Sequence, residues 1–76
     1  MEAREQLGAN VRRHRLAAGL TQEQLSDRAK LHLTEISRIE NGRRDPQLAT
    51  IVTVADALQI APAELLAGIG AFAPPG

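Results

Sequence analysis

The sequence contains no cysteine, tryptophan or tyrosine, and its only aromatic residue is Phe72. Without cysteine there can be no disulfides, thiolate metal sites or cysteine nucleophile. With one aromatic ring the core has to be aliphatic, and the aromatic platforms that single-strand binders stack on bases are missing. No run approaches the ~20 apolar residues of a membrane-spanning helix, and no signal-peptide pattern precedes the domain. We therefore expect a cytoplasmic protein with no membrane partner.

Signatures of catalysis and of metal binding are also missing. The two histidines, His14 and His32, have no carboxylate at a metal-ligand spacing on a shared helix face. There is no glycine-rich phosphate loop. Serines on predicted helix faces are ordinary, and a small helical domain offers no obvious pocket for a hydrolytic triad. We expect no enzyme activity, no metal, no cofactor and no small-molecule ligand.

The length and the distribution of charge narrow the class of partner. A chain of 76 residues forms one domain. Its net charge is zero, but all nine basic residues and six of the nine acidic ones lie in residues 1–44, so this part carries +3 and the rest −3. Such asymmetry is a weak indication of a basic face. Eight of the nine bases are arginine, which suits phosphate and guanine, although a GC-rich genome explains them equally well.

Apolar periodicity and stop signals predict an all-α protein with five helices, at about residues 5–18, 22–29, 33–41, 47–58 and 62–67. Thr21 and Gln24 have the spacing of a capping box at the start of the second helix. Ala18 closes the apolar side of the first helix, and the fourth helix shows a core stripe that begins at Leu48. After residue 67 the periodicity ends, so we predict a domain over 1–67 and a flexible tail over 68–76.

The helix predicted over 33–41 has two different faces. At 100° per residue, Ile36, Ile39 and Glu40 cluster on one side. The opposite side carries hydroxyl, amide and guanidinium groups, from Thr34, Ser37, Arg38 and Asn41. The flanks carry one apolar and one acidic residue, Leu33 and Glu35. Such a face suits contact with hydrogen-bonding edges. The pattern alone fits a plain solvated face about as well.

Arg15 lies on or beside the apolar stripe of the first predicted helix, where an unpaired guanidinium would be costly. Glu40, on the buried side of the later helix, is its natural partner. We therefore predict an ion pair that joins the two helices, against the alternative of two solvated charges.

The stretch TQEQLSDRAKLHLTEISRIENG, residues 21–42, resembles the helix-turn-helix of the lambda-repressor/Cro class, the XRE family. The matching features are TQEQLS in the first helix, the apolar Leu31 in the turn, ISRIENG in the second helix and DPQLATIVTVADAL after it. The similarity covers roughly residues 5–67. It implies a compact five-helix DNA-binding domain whose helix over 33–41 lies in the major groove. In that family, residues at the positions of Arg15 and Glu40 form a largely buried ion pair.

The resemblance also implies roles for particular side chains. Gln22 matches the position that opens the first helix of the motif and holds a phosphate. Arg38 matches a base-facing position and suits guanine through a bidentate fork. The resemblance implies base-facing residues and residues that grip flanking phosphates: Leu33, Thr34, Ser37 and Arg38 for bases, and Asn41, Arg43 and Arg44 for phosphates. With Gln22, His32 and Glu35 they make up the predicted DNA-binding set.

Some positions depart from the family pattern. Lys30 stands where a glycine usually opens the turn, which implies strain of order 1 kcal/mol if that residue has a positive φ. His32 replaces the usual serine or threonine cap and can instead contact a phosphate. Glu35 brings a negative charge near the DNA.

We therefore expect a sequence-specific regulator of transcription that binds a palindromic operator in double-stranded DNA as a homodimer. It would regulate transcription by occluding RNA polymerase or by contacting it. Surplus apolar residues predict a dimer surface at Val52, Leu66 and Ile69, with Phe72 as a further candidate, although Val52 and Leu66 could equally complete the core. In size the chain resembles stand-alone regulators such as restriction–modification controller proteins. The alternative is a helical protein-interaction module, an antitoxin-like partner for which DNA is secondary.

Overall fold

The computed structural model describes residues 2–70, and in this part of the chain all regular structure is helical. The five helices are α1 (Ala3–Ala17), α2 (Gln22–Ala29), α3 (Leu33–Glu40), α4 (Leu48–Leu58) and α5 (Pro62–Leu65). The predicted all-α class and the order of the helices are confirmed, and each boundary lies within two residues of its predicted position. No helix formed by residues 2–70 has the length and apolar character that a bilayer crossing requires.

Local capping explains where the first two helices begin. At α2, the Thr21 hydroxyl accepts a hydrogen bond from the Gln24 amide at 3.1 Å, and the Gln24 side chain accepts one from the Thr21 amide at 2.9 Å. This is the predicted capping box. A second box, between Glu2 and Glu5, starts α1 and was not predicted. Both devices satisfy amides that a helix leaves without internal partners.

The core is aliphatic throughout, as the composition requires. α1 packs against α3, α4 and α5, while α2 packs against α3 and α4. The buried residues come from all five helices and from the segment that joins the first two: Leu7, Val11, Leu20, Leu25, Ile36, Ile39, Val54, Ala55, Leu58 and Leu65.

Two residues that the periodicity assigned to the core are exposed. Leu48 is 71% exposed. The prediction for it is wrong because the first two residues of α4, Leu48 and Ala49, lie outside the core, and full burial begins only at Val54. Ala18, which follows the last residue of α1, is exposed as well.

Asn10 is a fully buried polar residue that no sequence pattern predicted. Its amide nitrogen donates to the carbonyl oxygens of Leu65 at 2.9 Å and Ala67 at 2.8 Å. Its own oxygen accepts from Gln6 and Arg13, each at 3.0 Å. Asn10 thus satisfies carbonyls that the end of α5 would otherwise leave unpaired, and it fastens α5 to α1.

The chain continues in turns over residues 68–70, and Ile69 packs against the core. The other residues of the predicted flexible tail, 71–76, lie outside the described residues. They include Phe72, the further candidate for the dimer surface. The division of the chain at residue 67 therefore stays a prediction.

Gly8 sets how closely α1 approaches α3. A Cβ atom at this position would overlap the carbonyl oxygen of Ile39 and would lie 2.8 Å from that of Glu40. Both of these neighbours are backbone atoms at the end of α3, which cannot rotate away as a side chain could. Glycine is required at this position because two helix backbones meet there.

We predict that Gly8→Ala destabilises the fold by about 1–3 kcal/mol, because the added methyl group overpacks the contact between α1 and α3. Chemical denaturation measures the change. The sign is diagnostic, since the same substitution in an open helical position stabilises by roughly 1 kcal/mol. A variant more stable than the parent would show that the two helices do not meet at Gly8.

Candidate nucleic-acid interface

A short turn joins α2 to α3 without a glycine. Lys30 adopts the left-handed conformation, with φ 55° and ψ 40°, at the end of α2. The Ser26 hydroxyl donates to the Leu31 carbonyl, and the Leu31 amide donates back to the Ser26 carbonyl at 3.1 Å. Leu31 packs against the core and His32 is extended. The turn is therefore held by these bonds and by burial of Leu31, in spite of the strain at Lys30.

A buried ion pair joins α1 to α3. Nε and one terminal nitrogen of Arg15 donate to the two carboxylate oxygens of Glu40, at 2.6 and 2.9 Å. The side chains are only 10% and 3% exposed. The other terminal nitrogen of Arg15 donates to the carbonyl of Leu20 at 2.8 Å. The hydrogen bond to Glu40 raises the pKa of Arg15 above its ordinary value, so the guanidinium stays charged.

Gln22 joins the same network. Its side-chain amide donates to Glu40 at 3.2 Å, and the residue is half-buried at the first position of α2. The resemblance implies a phosphate contact for this side chain, and its contact with Glu40 was not predicted. A single carboxylate therefore connects α1, the start of α2 and the end of α3.

The opposite face of α3 carries the predicted base-facing residues. Ile36 and Ile39 point inward, 0% and 2% exposed. Leu33 is 40% exposed, which is unusual for a large apolar side chain. Of the remaining predicted residues on this helix and at its two ends, two are half-buried and the others are exposed: Glu35 and Ser37 are half-buried, and His32, Thr34, Arg38 and Asn41 are exposed.

Asn41 also makes a side-chain contact on this face. Its amide nitrogen donates to the Ser37 hydroxyl at 3.4 Å, one helical turn back. Thr34 and Arg38 have no side-chain hydrogen bond to any of residues 2–70. The face thus presents free donors and acceptors on a rigid helix, the arrangement that meets base edges in a groove.

The loop after α3 carries the two adjacent arginines. Gly42 has φ 69° and reverses the chain, and the Arg43 amide closes the helix end by donating to the Arg38 carbonyl at 2.9 Å. Both arginine side chains are exposed. Arg44 forms an ion pair with Glu35, with 3.3 Å between Nε and the nearer carboxylate oxygen. No sequence pattern predicts this pair, because the turn geometry decides which charges meet.

The residues of the predicted dimer surface lie on other elements. Val52 on α4 and Leu66 after α5 are 38% and 41% exposed, so neither completes the core. Ile69 is half-buried against the core and offers less surface. The exposed Leu48 lies one turn before Val52 on α4 and extends the apolar surface.

A model of the helix-turn-helix domain family matches residues 6–67, which is most of the chain. The protein belongs to this family. The predicted resemblance to lambda-repressor/Cro-like regulators is thereby confirmed, together with the fold.

Two relatives have similar sequences. An uncharacterised HTH-type transcriptional regulator of Sinorhizobium fredii, y4dJ, is 36% identical over 66 residues, which are 87% of this chain and 86% of the relative. The control protein C.SmaI of Serratia marcescens is 38% identical over 66 residues, 87% of this chain and 79% of that protein.

A solved structure is similar in fold as well as in sequence. The restriction–modification controller protein C.AhdI of Aeromonas hydrophila superposes with a TM-score of 0.80 at 35% identity. The match covers 82% of this chain and 94% of that one. The helix-turn-helix family to which the protein belongs is thus one of transcriptional regulators, and the relatives are not enzymes.

We predict that Arg15→Ala and Glu40→Ala each destabilise the domain by about 3–5 kcal/mol, because each leaves a buried charge without its partner. Denaturation of both single variants and the double variant completes a double-mutant cycle. Where a single variant fails to fold, Arg15→Met combined with Glu40→Leu restores folding, since apolar replacement of a whole buried pair is often tolerated.

The exposed pair between Arg4 and Glu2 serves as the control for this cycle. Its side chains are 49% and 69% exposed, at a distance of 3.3 Å. Charge pairs at the surface contribute at most about 1 kcal/mol, so Arg4→Ala should change stability little. Equal, small effects at Arg15 and Arg4 would contradict a structural role for the buried pair.

Proposed function

We propose that this protein is a transcriptional regulator that binds a palindromic operator in double-stranded DNA as a homodimer, with α3 in the major groove. The observation that supports this proposal most directly is the exposed polar face of α3. The other face of this helix is held in the protein by Ile36, Ile39 and Glu40. Helix-turn-helix proteins place the second helix of the motif in the groove and cross the backbone with the first. Membership of a family of transcriptional regulators supports the same reading.

The side chains divide into base readers and phosphate contacts. Arg38 lies in the exposed stretch of α3 and reads guanine through two parallel hydrogen bonds. Thr34 and Leu33 reach thymine methyl groups. Because the Gln22 side chain is committed to Glu40, Gln22 holds phosphate chiefly through its backbone amide at the start of α2.

The remaining contacts are to phosphates that flank the groove. Arg43 and Arg44 lie in the loop after α3, Asn41 ends the helix, and His32 precedes it; all four side chains are exposed. Phosphate contacts fix the position and orientation of the protein on the duplex without reading sequence.

Dimerisation supplies the specificity that one small domain lacks. Two copies of α3 spaced by about 34 Å meet successive major grooves on one side of the duplex. Leu66 and Val52 are large apolar residues left exposed in the monomer, and Leu48 adjoins Val52. Their burial between two copies would remove apolar surface from water and stabilise the dimer.

The regulator acts in the cytoplasm, on nucleoid or phage DNA, and it works by occluding RNA polymerase or by contacting it. C.SmaI is a control protein, and C.AhdI is a restriction–modification controller protein. We propose that the present protein is a small regulator that is controlled by its own concentration.

We predict that Arg38→Ala and Arg43→Ala weaken DNA binding in different ways. An operator is first selected from random duplexes, and affinities are then measured for that operator and for its single-base variants. Arg38→Ala should lose roughly 1–3 kcal/mol of discrimination at one base pair, while Arg43→Ala should weaken all sequences alike and reduce the salt slope by about 1.

Two outcomes would contradict the proposed function. If both variants bind every duplex as the parent does, α3 does not face the groove. If the parent itself selects no duplex, the antitoxin-like alternative becomes the better account, and the polar face of α3 is then a solvated surface.

We predict that the parent sediments as a dimer at micromolar concentration and that Leu66→Glu shifts it to a monomer, because a buried, unpaired charge is costly at an interface. Leu16→Glu is the matched control. Leu16 is also exposed, at 56%, but lies on α1. A monomeric parent, or dissociation by Leu16→Glu alone, would rule out the proposed surface.

A further inference from the structure

Glu35 and Arg44 form a contact that positions a cation at the edge of the interface. Nε of Arg44 lies 3.3 and 3.4 Å from the two carboxylate oxygens of Glu35. The Glu35 side chain is 20% exposed and the Arg44 side chain 49%. Among residues 2–70, the two terminal nitrogens of Arg44 have no hydrogen-bond partner. The carboxylate therefore engages the inner nitrogen and leaves the outer two free.

A cleft lies beside this pair, between α3 and α4. Glu35 lines a concave surface between α3 and the start of α4, together with Asp45, Pro46 and Thr50. Its carboxylate is directed at Arg44 in the loop, nine residues further along the chain. The negative charge of Glu35 is thus placed against a cation.

We propose that Glu35 is a positioning residue that lowers the sequence-independent affinity for DNA by competing with phosphate for Arg44. This inference rests on the proposed function. Each phosphate that a basic side chain neutralises releases counterions from the duplex and contributes to affinity for any sequence. A guanidinium that already has a carboxylate partner gains less from a phosphate, because the same carboxylate repels the incoming anion.

The test measures binding to an unrelated duplex between 50 and 200 mM salt for the parent and for Glu35→Gln. Glutamine keeps the size and the acceptor oxygen but removes the charge. The variant should bind several-fold more tightly at 50 mM salt. Its plot of log K against log [salt] should be steeper by up to about 0.9, the value for one additional phosphate contact, so that roughly 3.5-fold of the gain is lost at 200 mM.

Two further variants assign the effect to the pair. In an Arg44→Gln background, Glu35→Gln should leave both the affinity and the salt slope unchanged, because the cation on which it acts is absent. Asp45→Asn is the matched control. Asp45 lines the same cleft, but no hydrogen bond or ion pair joins it to Arg44 in the described part of the chain. Removing the charge of Asp45 should change the salt slope less than Glu35→Gln does.

Three results would overturn the inference. If Glu35→Gln tightens binding equally with and without Arg44, Glu35 repels DNA directly. If Asp45→Asn matches Glu35→Gln, only the general charge of the surface matters. If Glu35→Gln has the parent's salt slope on a duplex that the parent binds, the inference fails alone, whereas a parent that binds no duplex removes the proposed function as well.

Discussion

The position of α3 depends on the buried pair between Arg15 and Glu40. The carboxylate lies at the last residue of α3 and accepts from Arg15 on α1 and from Gln22 on α2. Since Arg15 also donates to the Leu20 carbonyl, one guanidinium fixes the end of α3 and the turn after α1 together. A pair of this kind contributes little net stability compared with apolar packing. Its value lies in the directed hydrogen bonds, which allow one orientation of α3 where apolar contacts would tolerate several.

This arrangement leaves the outer face of α3 free. Burial of Glu40 directs the only other charges of the helix, Glu35 and Arg38, towards its flank and its outer face. The close backbone contact at Gly8 prevents α3 from moving nearer to α1, while the pair prevents it from moving away. A helix held from both sides presents its side chains in a fixed geometry, so little conformational entropy remains to be lost when they bind.

The sequence predicts the parts of this architecture that depend on periodicity and on local spacing. Glu40 falls beside Ile36 and Ile39 on a helical wheel, and Arg15 falls on the stripe of the first helix, so their pairing follows from the cost of burying a lone charge. Asn10 was not predicted because its partners are backbone carbonyls 55 and 57 residues away, which no periodicity reveals. Gly8 was missed for a similar reason, since its role depends on how closely two helices approach.

The charge of the chain illustrates why local placement decides function. A protein with zero net charge has little long-range attraction for a polyanion, yet three of its arginines lie on α3 or in the loop directly after it. Arg38 projects from the exposed side of that helix, and Arg43 and Arg44 follow it. The two acidic residues of the helix are both paired, Glu40 with Arg15 and Glu35 with Arg44. Attraction between such a surface and DNA falls off within a Debye length of about 8 Å at physiological salt. Contact therefore depends on α3 entering the groove, where shape and hydrogen bonding act together with charge. Because the long-range electrostatic attraction is weak, the DNA sequence contributes more to the choice of binding site.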